Sequence, residues 1–329
     1  DFTNDLLTPN LSRILPINLP PSTSQLNNVE LFIDKQEILP MIFKEIQSAK
    51  KSIQMDLYLL GGKIGLQVAK ELIKKFQEGV DIKITFDPNL GFSGPTRNEV
   101  YTVVEYLRKN KIEFKLFPLH LMPKETQGPL RNKFQIDHDK MIVIDESVFI
   151  TGGFNLFDLG VDNRDMMLRI EGPTAKEASD LLYYEWTLSD KYIAPKPPKQ
   201  VFVVKAAQEG NSMVKIVKTG FTERSTKPAL ISMINNAKQS VYLSVLEYSD
   251  MDLTKALINA SKRGVDVRVI MDRKNQNDKY AGGLPVPNYF PNIMPAVELV
   301  KNHVPTRWYD IRMPDQELHM KMCVVDNQH

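Results

Sequence analysis

Two short stretches each place an imidazole and an ammonium two residues apart: IDHDKMIVID at 136–145 and LHMKMCVVD at 318–326. Both have the form His-x-Lys-x-x-x-x-Asp, with His138, Lys140 and Asp145 in the first and His319, Lys321 and Asp326 in the second. The apolar, β-branched residues around them read as strands. Side chains alternate along a strand, so residues two apart share a face at a spacing of ~6.6 Å. His138 therefore shares a face with Lys140, and His319 with Lys321. Asp145 and Asp326 have the opposite parity and stand at the strand end, where they suit fixing a backbone or turn rather than touching a substrate. The guest that fits an imidazole beside an ammonium is a phosphodiester. Lysine supplies fixed charge and donors for phosphoryl oxygens, and histidine can attack phosphorus or protonate a leaving oxygen near neutral pH. Two facing sets give one nucleophile, one general acid and two lysines to neutralise the developing charge. Neither a metal nor a cofactor is required by that chemistry.

One copy alone carries little weight, because a histidine on an apolar strand is commonly a packed, satisfied side chain. The elements around the motifs decide the matter. VELFID (29–34) reads as a strand, 38–51 as a helix, 52–60 as a strand, 65–79 as a helix closed by Gly79, and 80–87 as a strand. That β-α-β-α-β order predicts a sheet covered by helices. The passage then recurs: AKQSVYLSVLEYS (237–249) parallels AKKSIQMDLYLLG (49–61), and 252–272 parallels 65–87. Gly79 and Gly264 close the two helices, while Asp87 and Asp272 end the two strands. The two motifs stand at corresponding places of this repeat, which makes them halves of one site.

The 329 residues, 42% hydrophobic and 25% charged, suit two soluble domains. We divide the chain into an irregular arm (1–28), a first domain (29–193), a proline-bearing connector (194–212) and a second domain (213–329), with 181–192 as the closing helix of the first half. A net charge of +2 excludes a strongly basic nucleic-acid coat. No apolar run approaches the ~20 residues of a membrane span, so the chain is expected to be soluble or peripheral. A leader removed before Asp1 is compatible with that, and no compartment follows. Cys323 has no partner for an intramolecular disulfide and reads as a buried, inert thiol.

The duplicated motif, with TGGFN (151–155) after its first copy, resembles the phospholipase D superfamily. VDNRDMMLRIEGP (161–173) is similar to the segment that follows the first motif in bacterial cardiolipin synthase-like members. The likeness covers nearly all of 29–329. It implies two α/β/α sandwich domains related by a pseudo-two-fold axis, one active site between them, and a ping-pong reaction through a phosphohistidine. It further implies His138 as nucleophile, His319 as general acid and base, and Lys140, Lys321 and Asn155 as ligands of the phosphate oxygens. Asp165 matches the acidic residue that orients a histidine. The implied partner is a phospholipid at a membrane surface, met by a monomer. Nucleic acid is the alternative substrate, and a catalytically silent membrane- or partner-binding member is the reading from another class. Two departures stand out. Gly152-Gly153 replaces the Gly-Ser of many members. By the first copy's spacing, counterparts of Asn155 and Asp165 fall at about 336 and 346, so a continuation of the second domain past His329 is expected.

Other candidates read as structural. Asp137 and Asp139 point away from His138, which argues against metal ligation by DHD. The glycines of 89–95 lack the context of a phosphate loop. Tyr280, Tyr289 and Phe290 fall in a loop that could rim the site, and His120 and His303 read as packing residues.

Overall fold

A computed structural model describes residues 26–90, 94–119, 136–189, 210–220, 224–273, 291–310 and 316–327. The connector segment 194–200, most of the N-terminal arm, His120, Tyr280, Tyr289 and Phe290 lie outside these residues.

The first half runs β1 (Asn28–Ile33), α1 (Asp34–Ser48), β2 (Ser52–Leu57), α2 (Gly62–Gln77), β3 (Asp81–Phe86), α3 (Gly94–Lys109) and β4 (Glu113–Leu116). It continues with β5 (Lys140–Ile144), β6 (Val148–Gly152), β7 (Met166–Glu171) and α4 (Pro173–Leu188). Its seven strands lie in the order β1-β7-β6-β5-β2-β3-β4. β2, β3 and β4 are parallel neighbours, whereas β5, β6, β7 and β1 join antiparallel. The second half runs α5 (Thr226–Asn236), β8 (Ser240–Val245), α6 (Met251–Lys262), β9 (Asp266–Met271), α7 (Ile293–Lys301), β10 (Thr306–Trp308) and β11 (Lys321–Val325). Its sheet, β10-β9-β8-β11, repeats the β4-β3-β2-β5 portion of the first with the same strand directions.

The pleat sorts β2 cleanly. Ile53, Met55 and Leu57 enter the main core with Ile38 and Ile42 of α1, Leu72 of α2 and Val103 of α3. Gln54 and Asp56 therefore face the other side of the sheet, which α4 covers. β5 is sorted the same way: Ile142 and Ile144 join the main core, while Met141 and Val143 pack with Ala175, Ala178 and Leu182 of α4. Each such aliphatic side chain contributes ~1.5–3 kcal/mol on burial.

Gly79 and Gly264 follow their helices at φ 91° and 89°, a backbone shape that only glycine adopts without strain. α1 starts at Asp34, four residues ahead of the sequence expectation. The Glu37 carboxylate accepts the Ile33 N–H at 2.8 Å and caps the extra turn. Pro40 lies inside α1, where its missing N–H removes one hydrogen bond of the helix. Residues 212–218, split in the sequence reading between connector and second domain, pack on the first half. Ser212 pairs with Asn27, and Val214 and Ile216 rest on the α4-side cluster. The halves meet through a further apolar cluster, in which Met166 packs with Leu318 and Met320.

Candidate active site

Each motif strand begins at its lysine, so His138 and His319 sit just ahead of the ladder rather than within it. The lead-ins are held alike. The Asp87 carboxylate accepts the Asp137 N–H at 2.6 Å, and the Asp272 carboxylate accepts the Leu318 N–H at 2.6 Å. The two strand-ending aspartates of the repeat thus each grip the residue before a motif histidine. In both halves the lysine ammonium donates to the carbonyl of its own histidine, Lys140 at 2.8 Å and Lys321 at 2.6 Å.

The motif aspartates occupy the turns that follow. Asp145 and Glu146, like Asp326 and Asn327, have φ of 53–55°. The Asp145 carboxylate accepts the N–H groups of Lys50, Lys51 and Ser52 at 2.7–2.8 Å. The Asp326 carboxylate accepts those of Lys238, Gln239 and Ser240 at 2.6–3.1 Å. Each aspartate anchors the start of the neighbouring strand, β2 or β8, and neither reaches into the cleft.

The halves are stitched together at the second histidine. The Arg164 N–H donates to the Glu317 carbonyl at 2.8 Å, and the His319 N–H to the Arg164 carbonyl at 2.9 Å. Asp165 then meets the His319 ring, its Oδ2 2.7 Å from Nδ1. Asp165 is itself fixed. Its Oδ1 accepts the Met166 N–H at 2.8 Å, its N–H donates to the Asp34 carboxylate at 3.2 Å, and its carbonyl accepts the Asp34 N–H at 3.0 Å. The Arg164 side chain pairs with the same Asp34. An acid from the first half is therefore hydrogen-bonded to a histidine of the second.

The surroundings set the charges. Enclosure by protein comes first in pulling His138 down, to about 3, followed by the charges of Lys140, Lys321 and His319. His138 as a residue is exposed to solvent, which moderates the desolvation; the direction is downward and the imidazole is neutral at pH 7. The ring packs against that of Tyr58, centroids 4.5 Å apart and planes tilted by 55°. No hydrogen bond reaches the imidazole from the described residues. His319 is also lowered, by burial, against the raising hydrogen bond of Asp165. Burial lowers Lys140 to about 7, with Lys321 adding to it, and lowers Lys321 to about 8.

These lysines give a pH prediction. Each would bind a phosphodiester only as the ammonium, and the ammonium is lost as pH rises through about 7 to 8. A phosphodiester keeps one negative charge over that range. Its affinity should therefore fall by roughly tenfold or more between about pH 6 and pH 9. Inhibition by dimethyl phosphate across that range measures it, and a flat profile would contradict it.

Asn155 follows β6, and its buried amide oxygen has no partner among the described residues. Gly153 has a definite reason to be glycine. A Cβ there would stand 2.2 Å from Asp165 Oδ1 and 3.1 Å from the His319 carbonyl oxygen. Asp165 is too firmly held to give way cheaply. Gly153→Ser should displace that carboxylate and lower kcat by about 10–100-fold, read against an unchanged far-UV spectrum; a kcat within twofold of the parent would refute it. His303 is exposed in the turn after α7, at φ 59°, and so does not pack as expected. Cys323 is a half-buried free thiol whose burial pushes its pKa up to about 11.

Among the described residues, no helix is long and apolar enough to cross a membrane. The family described as "Cardiolipin synthase, PLD-like domain" matches residues 42–186 and 230–329. Cardiolipin synthase A of Cronobacter sakazakii is 27% identical over 271 residues, 76% of this chain and 53% of that protein. A cardiolipin synthase of Clostridium perfringens is 26% identical over 288 residues, 83% of this chain and 58% of that protein. The chain thus spans little more than half the length of these relatives. Phosphatidylserine synthase of Haemophilus influenzae shares the fold at a TM-score of 0.64 and 15% identity, over 91% of this chain and 76% of that one. With a family match that takes in both halves and both His-Lys pairs, the chain belongs to the phospholipase D superfamily as a cardiolipin synthase-like member.

Proposed function

We propose that the chain is a phosphodiesterase that cleaves or transfers a phosphatidyl group without a metal. The observation that carries this reading is the 2.7 Å bond from Asp165 of the first half to His319 of the second, which makes the two His-Lys sets one site. His138, neutral and open to the cleft, attacks phosphorus. The bond from phosphorus to the headgroup oxygen breaks, and His319 passes its proton to that oxygen. The imidazolium that donates is stabilised by Asp165, the arrangement expected of an acid–base histidine. His319 then takes a proton from water or an acceptor alcohol, whose oxygen displaces His138 from phosphorus. Lys140 and Lys321 neutralise the phosphoryl oxygens throughout, with Asn155 beside them.

Vesicles of phosphatidylglycerol with excess chelator test the reading. Phosphatidic acid or cardiolipin should form, and loss of both in chelator would remove the metal-free claim. Cleavage of single-stranded DNA with no lipid turnover would replace a lipid substrate by a nucleic acid.

A further inference from the structure

Behind the motif of the first half lies a set of buried charges that the reaction above does not use. Asp137 and Asp139 flank His138 with opposite parity and share the α4 side of the sheet with Met141 and Val143. Asp56 reaches that side from β2, and Glu185 from α4. Carboxylate oxygens of Asp56, Asp139 and Glu185 lie within 4.8 Å of one another. Asp56 is 0% exposed, and among the described residues no N–H or hydroxyl donates to either of its oxygens. A buried carboxylate group of this size is strongly unfavourable without a counter-charge.

One ammonium enters it. Lys218 Nζ stands 2.6 Å from Asp139 Oδ2 and 2.7 and 2.8 Å from the two Glu185 oxygens. It occupies the place that a cation would take. Lys218 belongs to the stretch that leads into the second half, and its backbone is tied to the start of α5. Its N–H donates to the Ser225 hydroxyl at 3.1 Å, and its carbonyl accepts the Ser225 N–H at 3.0 Å. The second half has no counterpart: Ser244 stands where Asp56 does, and Met320 where Asp139 does. His319 has its ring held by Asp165. His138 is carried by the backbone of 136–139, whose Asp139 side chain is paired with Lys218.

We propose that Lys218 is a positioning residue for His138, acting through its ion pair with Asp139. The pair draws the lead-in against α4 and so fixes where the imidazole meets phosphorus. This assignment rests on the phosphodiesterase reading given above.

Three variants of the full chain test it with a chromogenic phosphodiester, each assayed well below its own melting temperature. Lys218→Met should melt lower and lose about 10–100-fold in kcat with KM little changed. Lys218→Arg should recover most of that loss. The double variant Lys218→Met with Asp139→Asn removes one of the carboxylates left without a counter-charge, so it should regain part of the stability but not kcat. If kcat returns with stability in the double variant, or Lys218→Met keeps kcat within twofold, the residue serves folding alone and the proposal is overturned. Should Lys218→Met fail to fold, the double variant and Lys218→Arg carry the same comparison. A wild-type chain inactive on every phosphodiester overturns the phosphodiesterase reading and the positioning role together, an outcome plainly distinct from an active wild type with an indifferent Lys218.

Discussion

Replacing His138 with asparagine is expected to lower phosphodiester turnover by roughly 10⁵-fold or more, the scale seen when a group central to a covalent mechanism is removed. The informative comparison is with His319→Asn. An aryl phosphodiester carries a leaving group that departs without a proton, so the first step no longer needs an acid. With that substrate His319→Asn should still release one equivalent of phenol per chain and then stall, because nothing activates the incoming water. The stalled protein should carry a phosphoryl group on His138, seen by mass spectrometry as an acid-labile adduct. His138→Asn should show neither burst nor adduct. The physical basis is the asymmetry of the two rings. His138 is open to the cleft and held neutral by its surroundings, whereas His319 is 7% exposed and bonded to a carboxylate that favours its protonated form. A burst in His138→Asn and none in His319→Asn would exchange the two roles.

The sequence was most legible where chemistry and periodicity coincide. The two His-x-Lys-x-x-x-x-Asp stretches announce themselves by type and spacing, and the repeated helix-Gly-strand-Asp passage shows that they correspond. Asp145 and Asp326 could be separated from the substrate by strand parity alone. The same repeat marked Asp87 and Asp272, but only as strand ends. That they hold the motif lead-ins depends on β3 and β9 ending one strand away from the motif strands, across β2 and β8, which is a matter of sheet order rather than local pattern. The buried charges were least legible. Asp137 and Asp139 were read as pointing away from His138, and the arrangement agrees, but where they point is set by Asp56, Glu185 and Lys218, contributed by a strand, a helix and a connector far apart in sequence. No periodicity links those five residues. The helix starts show a smaller failure: the apolar spacing placed the first helix from 38, whereas Glu37 caps a turn that begins at Asp34. Gly153 stood out in the sequence as a departure from Gly-Ser; in the fold it is the space that the Asp165 carboxylate requires.

Asp165→Asn is the second large effect expected, a fall in kcat on the order of 10³–10⁴-fold for lipid substrates. The substitution is nearly isosteric, and it leaves the backbone bonds of residue 165 to Asp34 intact. The amide oxygen can still accept the Met166 N–H, which turns the amide nitrogen toward His319 Nδ1. A donor now faces that ring nitrogen, so the neutral imidazole must place its proton on Nε2 and use Nδ1 as an acceptor. In that tautomer Nε2 cannot take a proton from water or alcohol, and the second step stops. The first step suffers as well. The hydrogen bond from Asp165 is what opposes the lowering of His319 by burial, so without it the imidazolium is lost at a lower pH. Activity that depends on the acid form should therefore decline at lower pH than in the parent, with the descending limb displaced toward acid. An aryl phosphodiester should bypass the first defect but not the second, giving a burst followed by a slow phase. Steady-state rates, burst amplitude and the pH profile separate these effects from a loss of folding, which would scale all of them together. A variant within threefold of the parent across that set would mean that the Asp165–His319 bond orients nothing that matters to turnover.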